Sequence, residues 1–347
     1  MTTRLVLLVC CSLLLLSATT AQRDNFSVKA HLPHTDKTVN GTRVIQQLID
    51  SCHATGGGTV FFAAGDYLTG SLELKENVFL ELAAGATLYG STKITDYPEE
   101  KKASLIYANG ANNIGIRGPG TINGQGDNFW RGQEHPITRP DRLILIENGK
   151  NVRFSDLTIL NSPNWNLEVR FCDGVWIEGI TMHAERKAPN TDGIDPVSSS
   201  NVFISNCYID VGDDAICPKS RAGIPVENLV VENCVLISDD AAIKLGTRSE
   251  DPIRNCLFSN IIIRNSDYGI AFFNKDGGTF ENIRFDNIHI ETTDDAAADW
   301  TKPPGTYPIF VDLEHRPSSK RAGRPLGKIK NVFFSNITID APQGRCL

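Results

Sequence analysis

The sequence is poor in several things, and each shortage excludes something. It has only 2 Met and 4 Trp in 347 residues, against 29 Gly, which points away from a helical protein and toward a turn-rich one. It has no Cys-x-x-Cys pair and no histidine cluster, so no structural zinc site is expected. Basic residues are outnumbered, 34 against 41 acidic, for a net charge of −7, which argues against a nucleic-acid partner. After residue 21 no apolar run is long enough to cross a bilayer.

The one long apolar run is at the start. Arg4 precedes Leu5 to Leu16, and Ser-Ala-Thr-Thr-Ala follows, with a cut expected after Ala21. These 12 apolar residues fall short of the roughly 20 a span needs, so residues 1–21 read as a secretory signal. A secreted protein with no membrane attachment after cleavage is expected, with residues 22–347 as one domain. Removing Arg4 leaves 33 basic and 41 acidic residues. Removing Cys10 and Cys11 leaves seven cysteines, an odd number, so at least one thiol stays unpaired or pairs between chains. Cys207 and Cys234 could be a buried stack or a disulfide, and Cys217 with Cys234 is equally open. Sequons stand at Asn25, Asn40 and Asn336.

Thr42 to Ala54 carries apolar residues at helical spacing (Val44, Ile45, Leu48, Ile49), and Gly56-Gly57-Gly58 ends it. Short apolar runs between glycine turns follow, which read as strands in series. From about residue 113 the chain repeats itself, in segments such as NVRFSDLTIL, DGVWIEGITM, NVFISNCYID and NLVVENCVLI. Val175, Val202, Leu229, Cys256 and Ile283 are spaced by 27 residues; Val152 lies 23 before the run and Val332 lies 49 after it. Two short strands per period, with no helical pattern between them, predict a right-handed parallel β-helix with a short N-terminal capping helix. Asn206, Asn233, Asn260, Asn287 and Asn336 fall at one position of successive repeats, and stacked coils would join them in an amide ladder. On that reading Asn336 points inward and its sequon is unused.

The same offset organises the acids. It sets Asp213 over Asp240 and Asp267, and Asp214 over Ala241 and Tyr268. Matching TDGIDP to DDAICP sets Asp192 over Asp214. Like charges this close cost stability and raise one another's pKa, and a coil has no structural use for them. A calcium site or a solvated acidic turn is the plain alternative. The sharper expectation is acid/base catalysis on a glycosidic bond, in which one carboxyl protonates the leaving oxygen and another activates water. Diagonal positions on stacked coils are expected to supply the roughly 6.5–9.5 Å that inversion wants. Trp165 falls near the same edge and could stack on a sugar. Lys219, Lys244 and Arg248 are the cationic candidates there, and Lys275 is a weaker one.

These residues resemble glycoside hydrolase family 28, the polygalacturonases and related pectin-degrading enzymes. The resemblance rests on NSPNW at 161–165, NTDGID at 190–195, GDDAI at 212–216, the coiled repeat and GTVFFAAGDYLTGSLEL, and covers nearly all of the chain after the signal. It implies an inverting glycosidase without metal or organic cofactor, acting on pectic polysaccharide as a monomer. By position Asp213 would be the general acid, Asp192 and Asp214 would hold and activate water, and Asn190 would orient the site. Two departures stand out. The family's Gly-His-Gly histidine falls on Ala241, and its Arg-x-Lys, which grips a galacturonate carboxylate, falls on Ala271 and Phe273. Rhamnogalacturonan-directed members resemble this pattern. A lyase on a similar scaffold and a non-catalytic carbohydrate-binding β-helix are the competing expectations. The chain stops soon after NVFFSNITID, where relatives often add coils, so it reads as cut short.

Overall fold

A computed structural model describes residues 26–32, 36–131, 138–293, 306–316 and 325–341. The signal segment 1–21, Asn25 and Cys346 lie outside these residues. The chain winds as a parallel β-helix. One continuous sheet of 17 strands runs along the molecule, and its registered pairs are parallel. The repeat arithmetic is the register: Val152 pairs with Val175, Val175 with Val202, Val202 with Leu229, Leu229 with Cys256, Cys256 with Ile283 and Ile283 with Val332. These side chains point inward, and the phenylalanines two positions on stack from coil to coil, Phe258 on Phe285 at 4.9 Å and Phe285 on Phe334 at 5.0 Å.

The helix Thr42–Ala54 forms as its periodicity predicts. It buries Ile45, Leu48, Ile49 and Cys52 over the first coils and so covers that end of the core. Thr55 caps it, and Gly56 and Gly57 turn the chain at positive φ. A Cβ on Gly57 would stand 2.4 Å from Asn77, so glycine is required there.

The asparagines differ from expectation in two ways. Asn233, Asn260 and Asn287 do join, through amide bonds of 3.3 and 2.9 Å. The ladder lies on the outside, however: its residues are exposed, and Asn336 is exposed too, bonded to Asp286 at 2.9 Å rather than pointing inward. The reason is the backbone. Each of these residues turns the chain at φ near +55°, and asparagine tolerates the left-handed region, so the side chain sits at the corner and not in the core. A second and longer ladder lies at the segment starts. Asn113 bonds Asn77, Asn151 bonds Asn113, Asn228 bonds Asn201, Asn255 bonds Asn228, Asn282 bonds Asn255 and Asn331 bonds Asn282. This predicts a graded response at Asn255. Asn255→Gly should lose about 1 kcal/mol for its ladder bonds. Asn255→Ala should lose about 1–2 kcal/mol more, because alanine must adopt φ +56°. Denaturant midpoints of the two variants measure the difference.

The six cysteines among the described residues are buried free thiols, so neither Cys207 with Cys234 nor Cys217 with Cys234 forms a disulfide.

The second face of the helix is where the site is placed. Its sheet is split. Five strands (Leu72–Glu73, Ser104–Asn109, Arg142–Glu147, Trp165–Arg170, Ile194–Val197) form one part, and three (Ala241–Thr247, Tyr268–Asn274, Tyr307–Leu313) form the other. Between them the coil at 213–221 forms no strand, and joins its neighbours through bridges such as Ile194 to Ile216, Ile216 to Ile243, Val197 to Lys219 and Ser220 to Ser249, with backbone bonds on both sides.

Candidate active site

The acids meet at this split. Asp192 precedes the strand Ile194–Val197, and Asp213-Asp214 follow the strand Tyr208–Val211 and Gly212. The bridge from Ile194 to Ile216 aligns Asp192 with Asp214, as the isoleucine match predicts. Gly193 N donates to Asp214 O at 2.8 Å and Asn166 N to Asp192 O at 2.8 Å, so both acids are fixed by coil-to-coil backbone bonds. The coils approach so closely here that a Cβ on Gly193 would stand 2.4 Å from Ala215 O, which explains the glycine of NTDG.

Asp192 and Asp214 are buried, and Asp213 is half-buried at the rim. Asp213 Oδ1 accepts from Asp214 N at 2.9 Å, and its Oδ2 accepts from Asn190 Nδ2 at 3.4 Å. Asn190 is itself held by Arg139, whose Nη2 donates to Asn190 Oδ1 at 2.7 Å and whose Nη1 donates to Pro189 O at 2.6 Å. Asn190 thus joins Arg139 to Asp213 at the rim.

Neighbouring acids lie close together. One oxygen each of Asp213, Asp214 and Asp240 lie within 4.8 Å of one another, and so do ligand atoms of Asp192, Asp214 and Cys217. Asp192 and Asp214, equivalent positions on adjacent coils, are held near the strand spacing of about 4.8 Å.

Crowding and burial act on their protonation. Burial, then the charges of Asp192, Asp214 and Asp240, hold Asp213 well above the ordinary carboxylate range. Burial pushes Asp214 up to about 6, against the pull of Lys244. Two lysines balance the cluster. Lys244 Nζ lies 2.9 Å from Asp214 Oδ2 and 3.3 Å from Asp240. Lys219 Nζ lies 2.8 Å from Asp192 Oδ2 and also bonds Asp195. Burial opposes the charge of each lysine, but the paired acids outweigh it and hold both pKa values above normal. Lys219 and Lys244, offered by the sequence as cations for a substrate, therefore give their charge first to the acids.

Trp165 lines the same cleft, yet its ring already carries Arg142 at 3.8 Å and Lys219 at 4.1 Å. Arg142 and Arg170 grip Glu168 at 2.5 and 2.6 Å, which accounts for that buried glutamate. The cleft holds about 410 Å³ and is lined by seven basic and five acidic side chains, although the whole chain is acidic. Arg248 lines it, as do Arg221 and Arg316. Lys275 is turned to Asp312 and Glu314 instead. Ala241 and Ala271 are buried with Tyr268 and Tyr307, and Phe273 and Phe310 pack against them, so the positions of the missing histidine and Arg-x-Lys are an apolar wall.

Sequence reasoning missed Asp195, Arg139 and Arg221. Asp195 had a signal, since it is the last residue of NTDGID and shares a strand with the bridge partner of Ile216. Arg139 lies outside any repeat and had none.

The family model described as glycosyl hydrolases family 28 matches residues 52–343. The chain belongs to that family. Family 28 relatives include a probable polygalacturonase from Vitis vinifera, 36% identical over 184 residues, which are 48% of this chain and 37% of the relative. An endo-polygalacturonase from Pectobacterium carotovorum subsp. carotovorum is 31% identical over 211 residues, 52% of each chain. The match thus spans about half or less of these relatives' lengths. Among solved structures, a hyperthermoactive exopolygalacturonase from Thermotoga maritima superposes with a TM-score of 0.74 at 21% identity, covering 88% of this chain and 78% of that one. That likeness supports the right-handed β-helix. In this family 28 chain, the acids of NTDGID and GDDAI are the residues the split sheet gathers.

Proposed function

We propose that this family 28 protein is a secreted, inverting, polygalacturonase-like glycoside hydrolase acting on pectic polysaccharide as a monomer, with residues 22–347 as its single domain. One observation carries this reading. Three carboxylates meet on adjacent coils in an open cleft, and two of them are pushed up in pKa while buried lysines balance the rest. Asp213, at the rim and raised, holds the proton that the leaving oxygen needs. Asp192 and Asp214 hold and deprotonate the attacking water, and Asn190 keeps Asp213 in place.

The close carboxylate spacing makes the stereochemistry a sharp test. Inversion follows here if Asp192 and Asp214 act together on one water. Proton NMR during hydrolysis of pectic oligosaccharides should show the β-anomer of galacturonate first from an α-linked substrate. Initial release of the α-anomer would overturn the inverting assignment, and no release of reducing ends from any pectic polymer would overturn hydrolysis. A second reading, a rhamnogalacturonan-type hydrolase, is favoured by the apolar wall of Ala271, Phe273 and Phe310, which suits a neutral sugar beside the acids. Comparing rates on homogalacturonan and rhamnogalacturonan separates the two.

A further inference from the structure

Five of the seven cations lining the cleft are matched by acids of the protein. Arg142 and Arg170 hold Glu168, Lys219 holds Asp192 and Asp195, Lys244 holds Asp214 and Asp240, and Arg316 holds Asp276. Arg221 and Arg248 are the exceptions. Both line the cleft, and neither has an ion-pair or side-chain hydrogen-bond partner among the described residues.

Their positions are set by the backbone. Ser220 bridges to Ser249, and Ser220 N donates to Arg248 O at 2.9 Å. Arg221 N donates to Ser198 Oγ at 2.8 Å, and Ser198 Oγ donates back to Arg221 O at 2.9 Å. Two guanidinium-bearing residues are thereby anchored on adjacent coils. They stand at the opposite end of the split strand from Asp213-Asp214, with Lys219 on the floor between. Burial and the neighbouring cation Arg221 pull the pKa of Arg248 down, a strain that an anion between them would relieve.

We infer that Arg221 and Arg248 form a clamp for the carboxylate of a uronic acid residue in the substrate. This rests on the proposed glycosidase reading and deepens it. Planar guanidinium groups match a carboxylate with paired hydrogen bonds, which a lysine cannot do. Ala271 and Phe273 pair with Lys244 and Gly246 one coil further on and bring no charge of their own, so the enzyme would grip its acidic sugar through the arginine pair. The sugar against the wall need carry no charge.

The test uses an oligogalacturonide and its methyl ester, with Arg221→Gln, Arg248→Gln and the double variant. On the free-acid substrate KM should rise about tenfold for each single variant and more for the double, with kcat changing about twofold or less. On the methyl ester the wild type and the double variant should behave alike. Arg248→Lys should recover only part of the loss, because it restores charge without the fork. Unchanged KM on the free acid, or an equal loss on the ester, overturns the clamp. Calorimetric binding in the Asp213→Asn background reads the clamp without turnover. Loss of hydrolysis in the wild type with charge-dependent binding intact would sink the glycosidase reading and leave the clamp standing. Binding indifferent to the two arginines would sink the clamp alone.

Discussion

Asp213→Asn should lower kcat/KM on a pectic substrate by about 10²–10⁴-fold, the usual share of a general acid, without destabilising the fold. The replacement keeps the shape of the side chain. Its amide oxygen can still accept from Asp214 N, so the backbone bond at 2.9 Å survives. It also leaves that position uncharged, as the protonated Asp213 is, so it adds no repulsion to a set whose oxygens lie within 4.8 Å of one another. The melting temperature should stay level or rise as activity disappears. Reducing-end release and thermal melting on the same sample check both halves, and full activity would remove Asp213 from the mechanism. The pH profile carries the second signature. Asp214 titrates near 6, so kcat/KM of the wild type should climb as pH rises through about 6 and this base sheds its proton. It should fall again at higher pH as Asp213, whose pKa is raised, loses the proton it must donate. Asp214→Asn should abolish the limb near pH 6.

Lys219→Met should be the most destabilising single change at the site, costing about 3–5 kcal/mol at neutral pH. Lys219 is 8% exposed and Asp195 is wholly buried, and Lys219 is the cation that both Asp192 and Asp195 bond. Asp195 Oδ2 has no hydrogen-bond partner among the described residues, so the carboxylate leans on the lysine alone. The sign with pH follows from Asp195. Burial raises its pKa, opposed first by Lys219. The native state then binds a proton more tightly than the unfolded chain, whose Asp titrates near about 4. Stability from this group is fully present below that pH and is lost as pH rises toward the folded pKa. Without Lys219 the folded pKa climbs further, so the deficit of the variant should be largest at neutral pH and shrink as pH falls toward 4. Denaturant unfolding at several pH values measures it. Adding Asp195→Asn to Lys219→Met should recover part of the loss, and the double-mutant cycle gives the coupling. A deficit independent of pH would mean that packing and not charge is what Lys219 contributes.

Much of this was legible in the chain because a solenoid writes its register as arithmetic. The 27-residue spacing from Val175 to Ile283 became strand pairs without a slip, and the isoleucine match between NTDGID and GDDAI became the bridge that joins Asp192 to Asp214. Direction was harder to read than position. A repeating asparagine can stack inside or outside a coil, and only the positive φ at each corner decides for outside. Charge pairing was harder still. Lys219 reaches back 24 residues to Asp195, off the repeat period, and no periodicity announces such a contact. Arg221 was not singled out, because a sequence cannot say which cations are already matched.

The interruption of the second sheet has a mechanical meaning. A stack of coils opens first where neighbouring coils share fewest backbone bonds. On the back of the molecule the 17-stranded sheet runs unbroken through this level, and on the front the coil at 213–221, though no strand itself, is bonded to both neighbours, Ile194 N to Ala215 O and Lys219 N to Pro196 O on one side, Ala215 N to Ala241 O and Gly246 N to Pro218 O on the other. The segment bearing Asp213, Asp214 and Arg221 therefore breaks the strand pattern without loosening the stack, like a differently cut stone mortared on both faces. A polymer seated in the cleft would meet a floor already ordered by folding, so that little of its binding energy goes into stiffening the site.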